Sequence, residues 1–150
     1  MGIIEEEIKQ KKFNSARHKM LVNLVYTTNW LNTIQMREFK VFGLSSQQYN
    51  ILRILRGQGN NAVNLGLIQD RMLDKNSNAS RLIEKLRIKK LLERKEAKDD
   101  RRQVDISITE KGLELLEKID VALEHAEKKY ETLSEAEAEA LSNLLDKLRG

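Results

Sequence analysis

The chain has no cysteine and no proline among its 150 residues. The first absence removes disulfides, thiolate nucleophiles, cysteine-ligated metals and thiol-based oxidant sensing together. The second leaves long helices without the residue that most often breaks them. The only histidines, His18 and His125, lie far apart, and no ligand-spaced carboxylate cluster stands out, so no metal or other cofactor is expected. Apolar runs are only a few residues long, whereas a membrane span needs about 20. The opening MGIIEEEIKQKK is acidic before it is basic and lacks an apolar stretch. It therefore predicts no secretion signal, no membrane partner and a cytoplasmic protein. There is no glycine-rich phosphate loop and no Ser-His-Asp arrangement. The carboxylates sit with Lys or Arg at neighbouring helical turns, as solvated faces do. An enzyme is not expected.

What the chain does have is charge, unevenly placed. Hydrophobic residues make up 40% and charged residues 33%, a balance that suits a helix-rich globular protein. Net charge is +4 overall, but residues 71–102 carry 12 basic against 6 acidic side chains, a local excess of +6. Residues 110–150 carry 6 against 11, a net of −5. A basic middle and an acidic C-terminal third point to separate tasks, with a polyanion as the partner of the middle.

Periodicity predicts a mainly α-helical fold with one small β-hairpin. Residues 5 to about 40 read as a single helix, with Phe13, Ala16, Met20, Leu24, Thr28, Leu31 and Ile34 recurring at three- and four-residue steps. Gly43 fits its terminator. Ser45 and Gln48 form a capping box for the next helix, flanked by Leu44 and Tyr49 as a hydrophobic staple. RGQGNNAVN (56–64) is a turn-rich connection, and Asn64 can cap a short helix carrying Leu65, Ile68 and Met72. A further helix starts near Asn76, with Ala79, Leu82, Ile83 and Leu86 facing inward. Residues 91–96 and the alternating 103–108 read as an antiparallel hairpin, which must lean on neighbouring helices to be stable. Thr109 caps the following helix, and Ser134 with Glu137 opens the last one.

The helix near Asn76 presents Lys75, Asn76, Ser77, Asn78, Ser80 and Arg81 at its N-terminal end. Asn, Arg and Lys can pair with base edges in a major groove, and Ser with a helix N-terminus suits phosphate oxygens. Asn and Ser are also simply good caps, so the signal gains weight from what surrounds it. A short helix precedes, giving a helix-turn-helix. A hairpin with a charged tip follows, in KDDRRQVDISITEKG (98–112). Such a wing can reach an adjacent minor groove, where arginine is favoured.

The order of elements, with Asp100-Arg101-Arg102 followed by Val104, Ile106, Ile108, Thr109 and Gly112, resembles the MarR family of bacterial transcriptional regulators. Leu82 to Leu86 in the expected reading helix and Leu44-Ser45-x-x-Gln48 extend the likeness over nearly the whole chain. The resemblance implies a homodimer, with residues 1–40 and 110–150 as a helical dimerisation lobe and 44–109 as a winged helix-turn-helix domain. It implies binding of double-stranded DNA at a palindromic operator, as a repressor released by a small aromatic effector. Carried over, it makes Arg102 the wing arginine oriented by Asp100, Arg101 and Lys98 phosphate contacts, and Lys85 part of the reading helix. It also directs attention to Tyr26, Trp30 and Tyr49 as ligand-binding residues, although Trp30 and Tyr49 suit a core or an interface better. Two departures stand out. The family often has Gly after the reading helix, where this chain has Lys90, and a left-handed non-Gly residue costs roughly 1 kcal/mol or more. An altered turn is therefore expected. The family also often has Asp-Pro at the wing tip, against Ala97-Lys98 here.

A dimer is expected on packing grounds too, since the first and last helices carry broad apolar stripes that little else in the chain can cover. The competing reading is a winged helix used as a protein-interaction module. That role needs neither the polar opening at 76–81 nor arginines at the wing tip.

Overall fold

The computed structural model describes residues 2–59 and 61–150. Its elements run α1 (Ile4–Glu7), α2 (Ala16–Lys40), α3 (Ser46–Gly57), α4 (Leu65–Arg71), α5 (Ala79–Ile88), β1 (Leu92–Glu96), β2 (Val104–Ile108), α6 (Glu110–Glu127), a 3-10 turn (Lys128–Tyr130) and α7 (Glu135–Arg149). Two compact units, Met1–Tyr49 and Asn50–Gly150, divide within α3.

In the first unit, the single helix expected from 5 to 40 is two. Lys9 adopts a left-handed φ of 55°, and the Gln10 N–H donates back to the Glu5 carbonyl at 3.0 Å, which ends α1. Ser15 then caps α2 by accepting from the His18 N–H at 3.1 Å. Asn14-Ser15 was the available signal, but the apolar stripe running past it was stronger. Side-chain bonds hold α1 against α2: Lys19 donates to Glu5, and the Tyr26 hydroxyl donates to Glu7 at 2.7 Å. At the far end Gly43 has φ 71°, the conformation that lets the chain leave a helix without a Cβ penalty. Gln48 and Ser45 make both bonds of the expected capping box, at 2.9 and 3.1 Å. Phe39 and Tyr49 stack, with ring centroids 4.4 Å apart.

The second unit has a core of Ile51, Leu52 and Leu55 from α3, Ile68 and Met72 around α4, Ile83 and Leu86 from α5, and Leu116 and Ile119 from α6, all buried. Arg56 reaches Asp120 through two bonds of 2.6 and 3.2 Å, tying α3 to α6. The hairpin is antiparallel, with Leu92 opposite Ile108, Arg94 opposite Ile106 and Glu96 opposite Val104. Its support includes a contact the sequence did not reveal. Val63 pairs with the outer edge of β2, exchanging bonds of 2.9 and 2.8 Å with Ile106. One residue of a turn-rich connection thus acts as a third strand, relieving the weakness of a lone hairpin.

The wing's root is tightly specified. Lys90 itself takes the left-handed turn, at φ 60°. The Lys90 N–H donates to the Arg87 carbonyl, and the Leu91 N–H to that of Leu86, at 2.8 and 3.1 Å. The turn expected to change is therefore kept, and the strain is accepted in the folded state. Thr109 closes the other side. Its hydroxyl accepts from the Gly112 N–H at 3.1 Å and donates to the Lys90 carbonyl at 2.7 Å. A Cβ at Gly112 would lie 2.3 Å from the Leu91 carbonyl oxygen, so this close approach requires glycine. The last helix, α7, has the full Ser134–Glu137 capping box but buries none of its residues.

Candidate nucleic-acid interface

Helix α5 opens at Ala79, three residues later than the Asn76 start expected from sequence, because Asn78 is the residue that caps. Its side chain accepts from the Arg81 N–H at 3.1 Å. Lys75, Asn76 and Ser77 lie in the preceding turn, organised by Asp74, whose carbonyl accepts from the Ser77 N–H and whose carboxylate accepts from the Asn76 N–H. The Lys75 ammonium donates to the Asp70 carbonyl. The Ser77 hydroxyl is covered and points away from solvent. Asn76, Asn78, Ser80, Arg81 and Lys85 are exposed, while Ala79, Ile83 and Leu86 anchor the opposite face. Apolar burial thus fixes which side of α5 is presented.

The wing tip runs from Ala97 to Gln103. The Asp100 carboxylate accepts from the Arg102 N–H at 2.9 Å, and the Asp100 carbonyl accepts from the Gln103 N–H at 3.0 Å. Asp100 therefore orders the backbone that carries Arg102. Lys98, Arg101 and Arg102 are all exposed.

Ser80 of α5 and Arg102 of the wing share an open cleft of about 400 Å³ with Asn64, Gln103 and Arg94. Arg94 is the residue the sequence reading missed. Its guanidinium donates to Glu84 on α5 at 2.9 Å, and Glu84 also receives two bonds from Arg87, at 3.0 and 2.7 Å. The Arg87 hydrogen bonds, and after them the charges of Arg87 and Arg94, hold the Glu84 carboxyl below the usual carboxylate range. It remains ionised and links α5 to β1. Pairing across ten residues and two element types leaves no periodic trace in sequence. Lys85, Lys98, Asp100 and Arg101 do not line the cleft, nor do Lys75, Asn76, Ser77, Asn78 and Arg81.

Of the residues considered for ligand binding, Tyr26 and Trp30 line one small pocket in the first unit, whereas Tyr49 is buried against Phe39. Among the described residues no group of three or more His, Cys, Asp or Glu could hold a metal ion. Among them, too, no helix is long and apolar enough to cross a membrane.

Residues 42–103 match the model of the MarR family. No protein of curated function matches the sequence. Among solved structures, a MarR transcription factor from Planctomyces limnophilus is 29% identical, covering 90% of this chain and 98% of that one, with a TM-score of 0.69. BpsR of Bordetella bronchiseptica, whose DNA binding is regulated by 6-hydroxynicotinic acid, is 26% identical over 83% and 99% of the two chains, with a TM-score of 0.61. The organohalide-sensing regulator RdhR, in its 2,4-dichlorophenol-bound form, shares the fold at 19% identity, over 93% and 85% of the chains and with a TM-score of 0.80. The helix-turn-helix, β1 and the wing tip thus lie within the segment that matches the MarR family model, and the chain shares its overall fold with MarR transcriptional regulators of known structure.

Proposed function

We propose that the chain acts as a homodimeric repressor that binds a palindromic DNA operator and is released by a small ligand. The observation that carries DNA recognition is the placement of Ser80 at the head of α5 beside Arg94 and Arg102 of the wing, in one cleft. A helix in the major groove reads bases, and an arginine beside it holds phosphate or enters the minor groove. In this reading Asn76, Asn78, Arg81 and Lys85 face base edges. Lys75, Ser80, Arg94, Lys98 and Arg101 contact the backbone, and Asp100 shapes the tip for Arg102. Ser77 serves the turn.

The dimer rests on a separate observation. Leu141, Leu144 and Leu148 of α7 are 49%, 63% and 44% exposed. An apolar stripe of this kind is normally covered by another protein surface, and a two-fold pair is the commonest solution. Residues 1–40 and 110–150 are assigned to that dimerisation lobe and 44–109 to DNA binding. A two-fold pair then presents two α5 helices to successive turns of one face of the duplex.

The test is selection from a random duplex pool by the purified protein at two salt concentrations. Enrichment of a palindrome, with affinity falling steeply as salt rises, is the expected result. Weak, salt-sensitive binding without enrichment would instead favour a winged helix that docks on protein.

A further inference from the structure

The pocket holding Tyr26 and Trp30 has a charge that neither residue supplies. It is an open pocket of about 220 Å³ between α1 and α2, and its wall includes Ile4, Glu7, Asn23 and Thr27. Glu7 accepts from the Tyr26 hydroxyl at 2.7 Å and from the Gly2 N–H at 2.9 Å. None of the lining residues is Lys, Arg or His, and the charge of the chain's amino terminus acts on Glu7 more weakly than its two hydrogen bonds. The neighbouring acid on α1, Glu5, is instead bonded to Lys19. The Tyr26 bond and then the Gly2 bond hold the Glu7 carboxyl below its ordinary value. The same contact pushes the Tyr26 phenol up. At neutral pH the pocket thus presents a carboxylate beside a neutral phenol and an indole.

We propose that this pocket binds a small aromatic monocation, with its ring against Trp30 and Tyr26 and its ammonium group beside the Glu7 carboxylate. Aromatic faces attract cations through their quadrupole, and an ionised carboxylate at the same spot adds a directional partner. An aromatic acid of the same size would bring like charges together. The expected ligand therefore differs in charge from the acid and the phenol named for the two relatives above. This inference deepens the ligand-release part of the proposed function and rests on it for any effect on DNA. Binding itself is measured without DNA, so the two can fail separately.

Trp30 is the chain's single tryptophan, so its fluorescence reports on this pocket directly. The full-length protein is titrated at neutral pH with benzylammonium, benzyl alcohol and benzoate, which share a ring and differ in charge. Benzylammonium is expected to perturb Trp30 and bind roughly fivefold or more tightly than benzyl alcohol, with benzoate weakest. Glu7→Gln, checked for fold by circular dichroism, should erase that preference while leaving the neutral ring's affinity near its original value. Tyr26→Phe keeps the carboxylate and should retain the preference for the cation. Equal binding of the three compounds, tightest binding of benzoate, or no response from Trp30 would each overturn the proposal. So would a cation preference that survives Glu7→Gln.

Discussion

Helices α5 and α7 are built from similar parts and end differently. Each begins at a side-chain cap, Asn78 or Ser134, and each carries an apolar stripe. Helix α5 buries Ala79, Ile83 and Leu86 within its own chain, whereas α7 buries nothing. The face that α5 leaves to solvent is polar and basic; the face that α7 leaves includes three leucines. A folded chain normally covers its apolar stripes, so the exposed face of each helix indicates what it meets. A polyanion suits the first and a second protein surface the second.

The most damaging break on the α5 side is Gly112→Ala. A methyl group 2.3 Å from a backbone carbonyl oxygen must displace either the Thr109 cap or the turn at Lys90. A loss of about 3 kcal/mol or more is expected from urea denaturation, with DNA binding failing alongside it. On the α7 side, Leu144→Glu should leave the fold near its original stability because the position is exposed. It should shift sedimentation toward monomer and weaken operator binding at least tenfold, about 1.4 kcal/mol.

Smaller changes sharpen the contrast. Arg81→Ala should cost about 1–3 kcal/mol on the selected operator and relax one base preference, with random DNA little affected. Lys98→Ala should weaken all sequences alike and flatten the salt slope by about one unit. Equal losses of specific and random binding in Arg81→Ala would end its assignment as a base reader. The smallest effect concerns the wing root. Lys90→Gly should stabilise the protein by at most about 1 kcal/mol in thermal unfolding, because it relieves the φ of 60° and loosens the unfolded chain in exchange.

How much of this was visible beforehand depends on how local each signal is. Caps at Ser45, Asn64, Thr109 and Ser134 rest on side chains reaching three residues along, and all four are made. The alternation of Val104, Ile106 and Ile108 gave β2 within a residue of its observed start. The division of the first helix has little sequence signal, because the apolar stripe from Phe13 to Ile34 runs past Asn14-Ser15 and only backbone geometry changes at Lys9. The start of α5 was misplaced because Asn76, Ser77 and Asn78 can all cap, and tertiary packing of Ala79 chose among them. The Val63–Ile106 bridge and the Glu84–Arg94 pair join residues distant in sequence, so neither had a pattern to show. For the same reason Arg94 escaped notice beside the more conspicuous Asp100-Arg101-Arg102. Glu7 was hidden differently, since its role comes from α1 folding back onto Tyr26.

The most direct test of the account is the mass of the complex formed with a selected operator duplex, measured by sedimentation across a salt series. Two chains per duplex are expected, with log affinity falling linearly against log salt by about 0.9 per phosphate neutralised. One chain per duplex would contradict the role given to α7. Binding insensitive to salt would contradict the role given to α5 and its wing.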